Sequence, residues 1–213
     1  MTVTLGAHDR VVEGASTLSD TSPDWAKPTP LGYGIASEAA HFVAAPLLAG
    51  ACIATIGVLG ADGDKFRWPG PAMLLLTLAF VALIASVQYG FHARSHFYSP
   101  TDVDTWYPPD RPRPDESTLR QHQQRDFQQW RRLNRRGSTA YNVGIVLLGA
   151  AATLVLAPPE EVSLGHTVCR WTAAAVTALG SVAELEWILR GERVRRILAR
   201  AADGETTGRD PHV

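Results

Sequence analysis

Uncharged apolar runs alternate with arginine-rich polar stretches along this chain. No residue is charged from Phe42 to Ala61, from Pro69 to Phe91, or from Gly137 to Pro159. Each run can cross a hydrocarbon core of about 30 Å, which takes about 20 helical residues. A fourth, weaker run from about Thr167 to Leu189 holds Glu184 and Glu186, with Arg170 near one end. An acidic side chain at mid-bilayer is costly, so this last helix should pack on other helices rather than on lipid. The pattern predicts an all-α fold, an integral membrane four-helix transmembrane bundle with a cytoplasmic amphipathic helix between spans two and three. The spans are expected at about Tyr33–Gly60, Pro71–Phe91, Thr139–Leu156 and Thr167–Leu189, with the second reading as leucine-rich and lipid-facing.

Between the spans the chain divides at its composition shifts. Residues 1–30 are rich in Ser, Thr, Asp and Pro, lack the apolar core of a signal peptide, and read as a disordered cytoplasmic tail. Residues 31–95 form the first transmembrane hairpin, and residues 96–136 a cytoplasmic loop with a basic amphipathic helix. Residues 137–202 form the second hairpin with a basic extension, and residues 203–213 a polar tail. Within the loop, Pro108, Pro109, Pro112 and Pro114 forbid regular helix and favour an extended run. The aromatic residues Phe97, Tyr98, Trp106 and Tyr107 suit the headgroup level. Asp115 can cap the helix that follows, in which Leu119, Phe127, Trp130 and Leu133 fall on one face. Arginines cover the remainder, so this helix is expected to lie on the inner leaflet beside anionic lipid, or else to bind a partner. Trp130, Arg131, Arg132, Arg135 and Arg136 are its expected lipid or partner surface.

Charge sets orientation rather than partner class. The formal net charge is −1, which argues against nucleic-acid binding. Arginine is concentrated in residues 94–136 and 190–200, while the connecting turns carry only Lys65, Arg67 and Arg170. The positive-inside rule places the arginine-rich segments in the cytoplasm of a cell inner (plasma) membrane, with both termini on that side. Lys27 and Lys65 are the only lysines; that bias, with many alanines, points to a GC-rich bacterial gene. Cys52 and Cys169 make neither a disulfide framework nor a metal motif. His92 and His96 share a helical spacing but lack a third fixed ligand, so no metal or cofactor is assigned.

The candidate chemistry sits inside the spans. Counting at 1.5 Å per residue places Glu38, His41, Gln88, Asn142 and Glu184 at about 8 to 10 Å inside the cytoplasmic end of their spans. Such a polar layer can be hydrogen-bonded glue between helices. It can also line an ion or proton pathway. Small residues at four-residue spacing in the first span, Ala36, Ala40 and Ala44, allow close helix approach. The leading expectation is a non-enzymatic, small oligomeric ion-conducting or membrane-perturbing subunit, assembled as a homo-oligomer or beside a partner membrane subunit. The alternative is a membrane scaffold recruiting a soluble partner through residues 94–136. A third reading, an intramembrane enzyme using Glu38 and His41, has no nucleophile or metal motif to support it.

Overall fold

Pro46 decides how the first span is built. A proline lacks an N–H and its ring collides with the carbonyl four residues earlier, which here belongs to Phe42. The computed structural model, which describes residues 24–160 and 163–207, widens the helix there into a π turn. Helix α1 (Tyr33–Ala39) passes through this π turn (Ala40–Ala44) into α2 (Ala45–Ala61). A wider turn absorbs the lost hydrogen bond without ending the span.

A 3₁₀ turn at Gly63–Lys65, with Lys65 paired to Asp62 at 2.6 Å, leads into α3 (Pro69–Arg94). Pro69 and Pro71 lie in its first turn, where a missing N–H costs nothing. The buried residues of α3 are Ala72, Leu76, Ala79, Leu83, Ser86, Gly90 and Ala93. Their steps alternate four and three, a heptad repeat. The leucine-rich face is exposed at Leu74, Leu78 and Val81, as a lipid-facing side would be, while the opposite stripe is the seam of the bundle.

Helix α4 (Pro100–Trp106) is short and strongly capped. The Ser99 hydroxyl accepts from the Asp102 N–H, and the Asp102 carboxylate accepts from the Ser99 N–H at 2.7 Å. The proline-rich run after it has no regular helix, but it is not simply extended: it bends through a turn closed by the Arg111 N–H donating to the Pro108 carbonyl at 3.0 Å, and Arg113 ties back to Asp104 at 2.8 Å.

Helix α5 (Glu116–Leu156) departs most from expectation. A surface helix was expected to end near Arg136 and a separate span to begin near Thr139. Instead 41 residues form one unbroken helix, about 60 Å long. Its buried stripe, Leu119, Gln123, Trp130, Asn134, Gly137, Gly144 and Ala151, keeps heptad spacing straight through the presumed break. Gly137 is therefore a packing position rather than a terminator. Residues 116–136 are thus collinear with residues 137–156, with no turn between them. Asp115 caps the start, as predicted, by accepting from the Ser117 N–H at 3.1 Å.

Helices α3 and α5 run antiparallel. Tyr98 meets Asp126, Gly137 lies against Tyr89, and Gly144 faces Leu83. Helix α6 (Leu164–Thr207) packs principally on α5. Gly149 gives Ser181 the room it needs, and the Arg170 guanidinium donates to the carbonyls of Val155 (2.9 Å) and Leu156 (3.1 Å) at the end of α5. The basic extension is continuous with the fourth span, because no proline intervenes before Pro211, and helix continues to Thr207 into the expected tail.

The described residues are thus all-helical, with four helices long and apolar enough to span a membrane, as in a multi-pass membrane protein. Of the expected N-terminal tail, residues 1–23 lie outside the described residues. Just before α1, the Gln123 amide pairs with both backbone groups of Ala26, at 2.8 and 2.7 Å, and Gln124 donates to the Asp24 carbonyl.

Candidate functional site

Three helices meet at His41. It sits in the π turn, is 2% exposed, and is wedged between two glycines. A methyl group at Gly90 would lie 2.7 Å from the His41 Cβ, and one at Gly137 would lie 3.0 Å from its Cε1. At Gly90 any side chain would collide with the histidine, and at Gly137 a methyl would press the imidazole, which would have to shift by a few tenths of an ångström. The ring Nδ1 shares a 2.8 Å hydrogen bond with the Ser86 hydroxyl. Nε2 is buried and has no hydrogen-bond partner among the described residues. It lines, with the buried Asn134, a cavity of about 10 Å³. That is room for about one water and for no organic substrate. Glu38 and Arg94 form a half-exposed ion pair at 2.8 Å on the rim of the same cavity.

The expected five-residue layer is only partly assembled. Glu38 and His41 line one cavity with Asn134, and Ser86 bonds the far side of the His41 ring; the other three expected residues are absent from it. Gln88 is two residues beyond Ser86, nearly opposite on the helix, and is exposed. Asn142 is half-buried and lies seven residues before Gly149, on the stripe that faces α6. Glu184 is exposed on α6. Equal depth along a span says nothing about facing, and these side chains point in different directions. Asn134 and Ser86 were missed, although the heptad that contains each is readable in the sequence.

Trp130 is also placed differently from expectation. It is 5% exposed and cannot be a surface residue. Phe97 and Phe127 pack on it with ring centroids 5.0 Å away, and Tyr33 meets its edge at 6.2 Å. Such aromatic pairs contribute about 0.5–1.5 kcal/mol each beyond area burial. The cluster locks α1 and the end of α3 to α5, just beyond the His41 cavity.

The four arginines of the expected surface are exposed. Arg131, Arg132, Arg135 and Arg136 flank a shallow groove of about 300 Å³, and Arg125, Gln128, Gln129 and Arg132 flank a second of about 440 Å³. Their heights differ. Measured along α5 from Gly137, Arg135 and Arg136 are within about 3 Å, Arg131 and Arg132 about 8–9 Å out, and Arg125 about 18 Å out.

On the flank of this face, α4 and α5 enclose a cleft of about 400 Å³. Its floor includes the buried Val103 and Leu119, and Trp106 and Tyr107 stand at one side. Arg125 lines both this cleft and the neighbouring groove. Asp126 is already engaged: the Tyr98 hydroxyl donates to it at 3.1 Å, and His96 approaches at 3.5 Å. Burial, followed by the Asp126 carboxylate, pushes the Tyr98 phenol up to about 12.

Among the described residues no cluster of three His, Cys, Asp or Glu side chains is arranged to hold a metal. No protein-family model, curated protein or solved structure matches this chain.

Proposed function

We propose that the protein is a non-enzymatic membrane scaffold, which holds an acidic soluble partner against one face of the membrane through residues 94–136. The observation that carries this reading is the continuity of α5. Its inner half is a membrane-spanning seam helix; its outer half is a rigid post whose exposed side is cationic. Residues 116–136 hold six arginines against Glu116 and Asp126 alone. Arg135 and Arg136 lie at the level of lipid phosphates, where anionic lipid is their natural counterion. Arg125 and Arg132 stand farther out, and a soluble partner is theirs. The positive-inside rule makes this side the cytoplasm of a cell membrane, with both termini there.

A photo-crosslinker at Gln128 in cells tests it. The expected adduct is with an acidic soluble protein, and it disappears when Arg125→Glu and Arg132→Glu are combined in a protein that still reaches the membrane. Adducts with lipid alone, or adducts indifferent to the two charge reversals, sink the proposal.

A second reading is an oligomeric ion-conducting subunit. Glu184 favours it, as a carboxylate exposed on a helix otherwise apolar enough to cross a bilayer. An exposed intramembrane carboxylate is stabilised by a neighbouring copy or a partner subunit. Conductance in proteoliposomes that is unchanged by Glu38→Gln and Glu184→Gln counts against it.

A further inference from the structure

We infer that the cleft between α4 and α5 is the anchor pocket of the scaffold's partner: it takes one large apolar side chain carried on an acidic peptide segment. This rests on the scaffold reading and names the chemistry of the partner.

Trp106 is the first observation. It is 67% exposed, on a helix whose other large apolar residue, Val103, is buried. Exposed apolar residues within the spans have lipid to cover them. Trp106 has none, because it lines its cleft beside Arg125, about 18 Å beyond Gly137 along α5. A headgroup layer is only about 5–8 Å deep. Height therefore moves Trp106 and Tyr107 out of the headgroup level expected from sequence.

The second observation is preorganisation. The capping box at Ser99 fixes the start of α4, the Arg113–Asp104 ion pair fixes its exit, and Tyr98 and His96 hold Asp126 at the rear. A pocket rigid before binding loses little freedom on occupancy. The volume, about 400 Å³, suits a tryptophan, phenylalanine or leucine side chain with part of its backbone.

The third observation selects a peptide over a small molecule. The cleft is not isolated: Arg125 lines both it and the groove of Gln128, Gln129 and Arg132, and Gln128 and Arg132 also line the groove of Arg131, Arg135 and Arg136. An apolar socket at the head of a cationic track matches an extended occupant with one apolar anchor and several carboxylates. Interfaces concentrate their energy in such buried anchors, and charges around them set orientation and encounter rate.

The test uses the full chain in phosphatidylcholine nanodiscs. Two fluorescent probes are titrated, a short polyglutamate peptide with one central tryptophan and the same peptide with alanine there. The tryptophan peptide is expected to bind about tenfold more tightly. Trp106→Ala should erase that difference without weakening the alanine peptide, and Trp106→Phe should keep most of it. Trp106 is exposed, so neither change endangers folding. Equal, salt-sensitive binding of the two peptides overturns the anchor pocket and leaves the scaffold reading standing. Failure of both peptides to bind overturns both. Indole-3-acetate binding the cleft as tightly as the tryptophan peptide also overturns this inference, in favour of a small-molecule site.

Discussion

Helices α3 and α6 are both read from sequence as membrane spans, yet their fates differ. Helix α3 is the more apolar, and 28% of its most apolar stretch is buried; α6 is less apolar, and only 6% is. Water would give the same order, the more apolar helix being the more buried, but for a reason that does not hold in lipid. In a bilayer apolar surface gains nothing by leaving lipid, so close packing and polar contacts decide which helices associate. Helix α3 carries alanine, serine and glycine at heptad positions and can approach α5 along its whole length. Helix α6 has the Gly149–Ser181 contact and the Arg170 cap, while Val176, Leu179, Val182 and Trp187 stay exposed.

The contrast predicts opposite outcomes for one substitution. Gly90→Ala places a methyl against the His41 Cβ, which no rotamer change can move, and should destabilise the chain by up to about 3 kcal/mol in mixed-micelle unfolding. His41→Ala keeps the offending Cβ and should not rescue it; a full rescue there would show the seam to be slack. Next in size is Arg170→Ala, which leaves two carbonyls of α5 without their charged donor. A loss of about 1.5 kcal/mol is expected, with α6 becoming more protease-sensitive than α3. If the two helices lose protection together, α6 is no peripheral element. Gly180→Ala meets nothing within 4 Å and should stabilise α6 by about 0.5–1 kcal/mol, since alanine is the better helix former. A destabilising result would reveal a neighbour on that face.

The smallest effect concerns pH. The Tyr98 phenol titrates near 12 in the folded chain, against about 10 when unfolded. Folding therefore favours the bound proton. Its contribution is complete below about pH 10 and fades as pH rises toward 12. Tyr98→Phe should flatten that alkaline limb, and Asp126→Asn should lower the titration in phenolate absorbance. An unchanged titration in Asp126→Asn would mean that the carboxylate does not hold the phenol.

The four spans were legible because uninterrupted apolar length is a physical requirement of crossing lipid. The cap at Asp115 and the lack of regular helix among the prolines before it were legible for equally local reasons, whereas the turn at Pro108–Arg111 was not. The course of α5 was not, because Gly137 and the abrupt change from arginine to apolar residues resemble a boundary. The heptad from Leu119 to Ala151 contradicts that boundary, but it shows only when small and polar residues are counted as seam positions alongside leucines. His41 was found as a polar residue in a span, whereas its hydrogen-bond partner Ser86 and its cavity neighbour Asn134 depend on which faces meet. The π turn at Ala40–Ala44 shifts that facing by a fraction of a turn, which sequence periodicity does not report. Trp130 was misplaced because an aromatic beside arginines looks interfacial until Phe97, Phe127 and Tyr33 close over it.

A helix in one piece is also a lever. A tilt of roughly 10° in the membrane half of α5, the kind of adjustment bilayer thickness imposes, would sweep its far end sideways by about 5 Å over an arm of about 30 Å. Whatever is held near Arg125 would thus be repositioned by the mechanical state of the lipid, with no hinge to dissipate the motion.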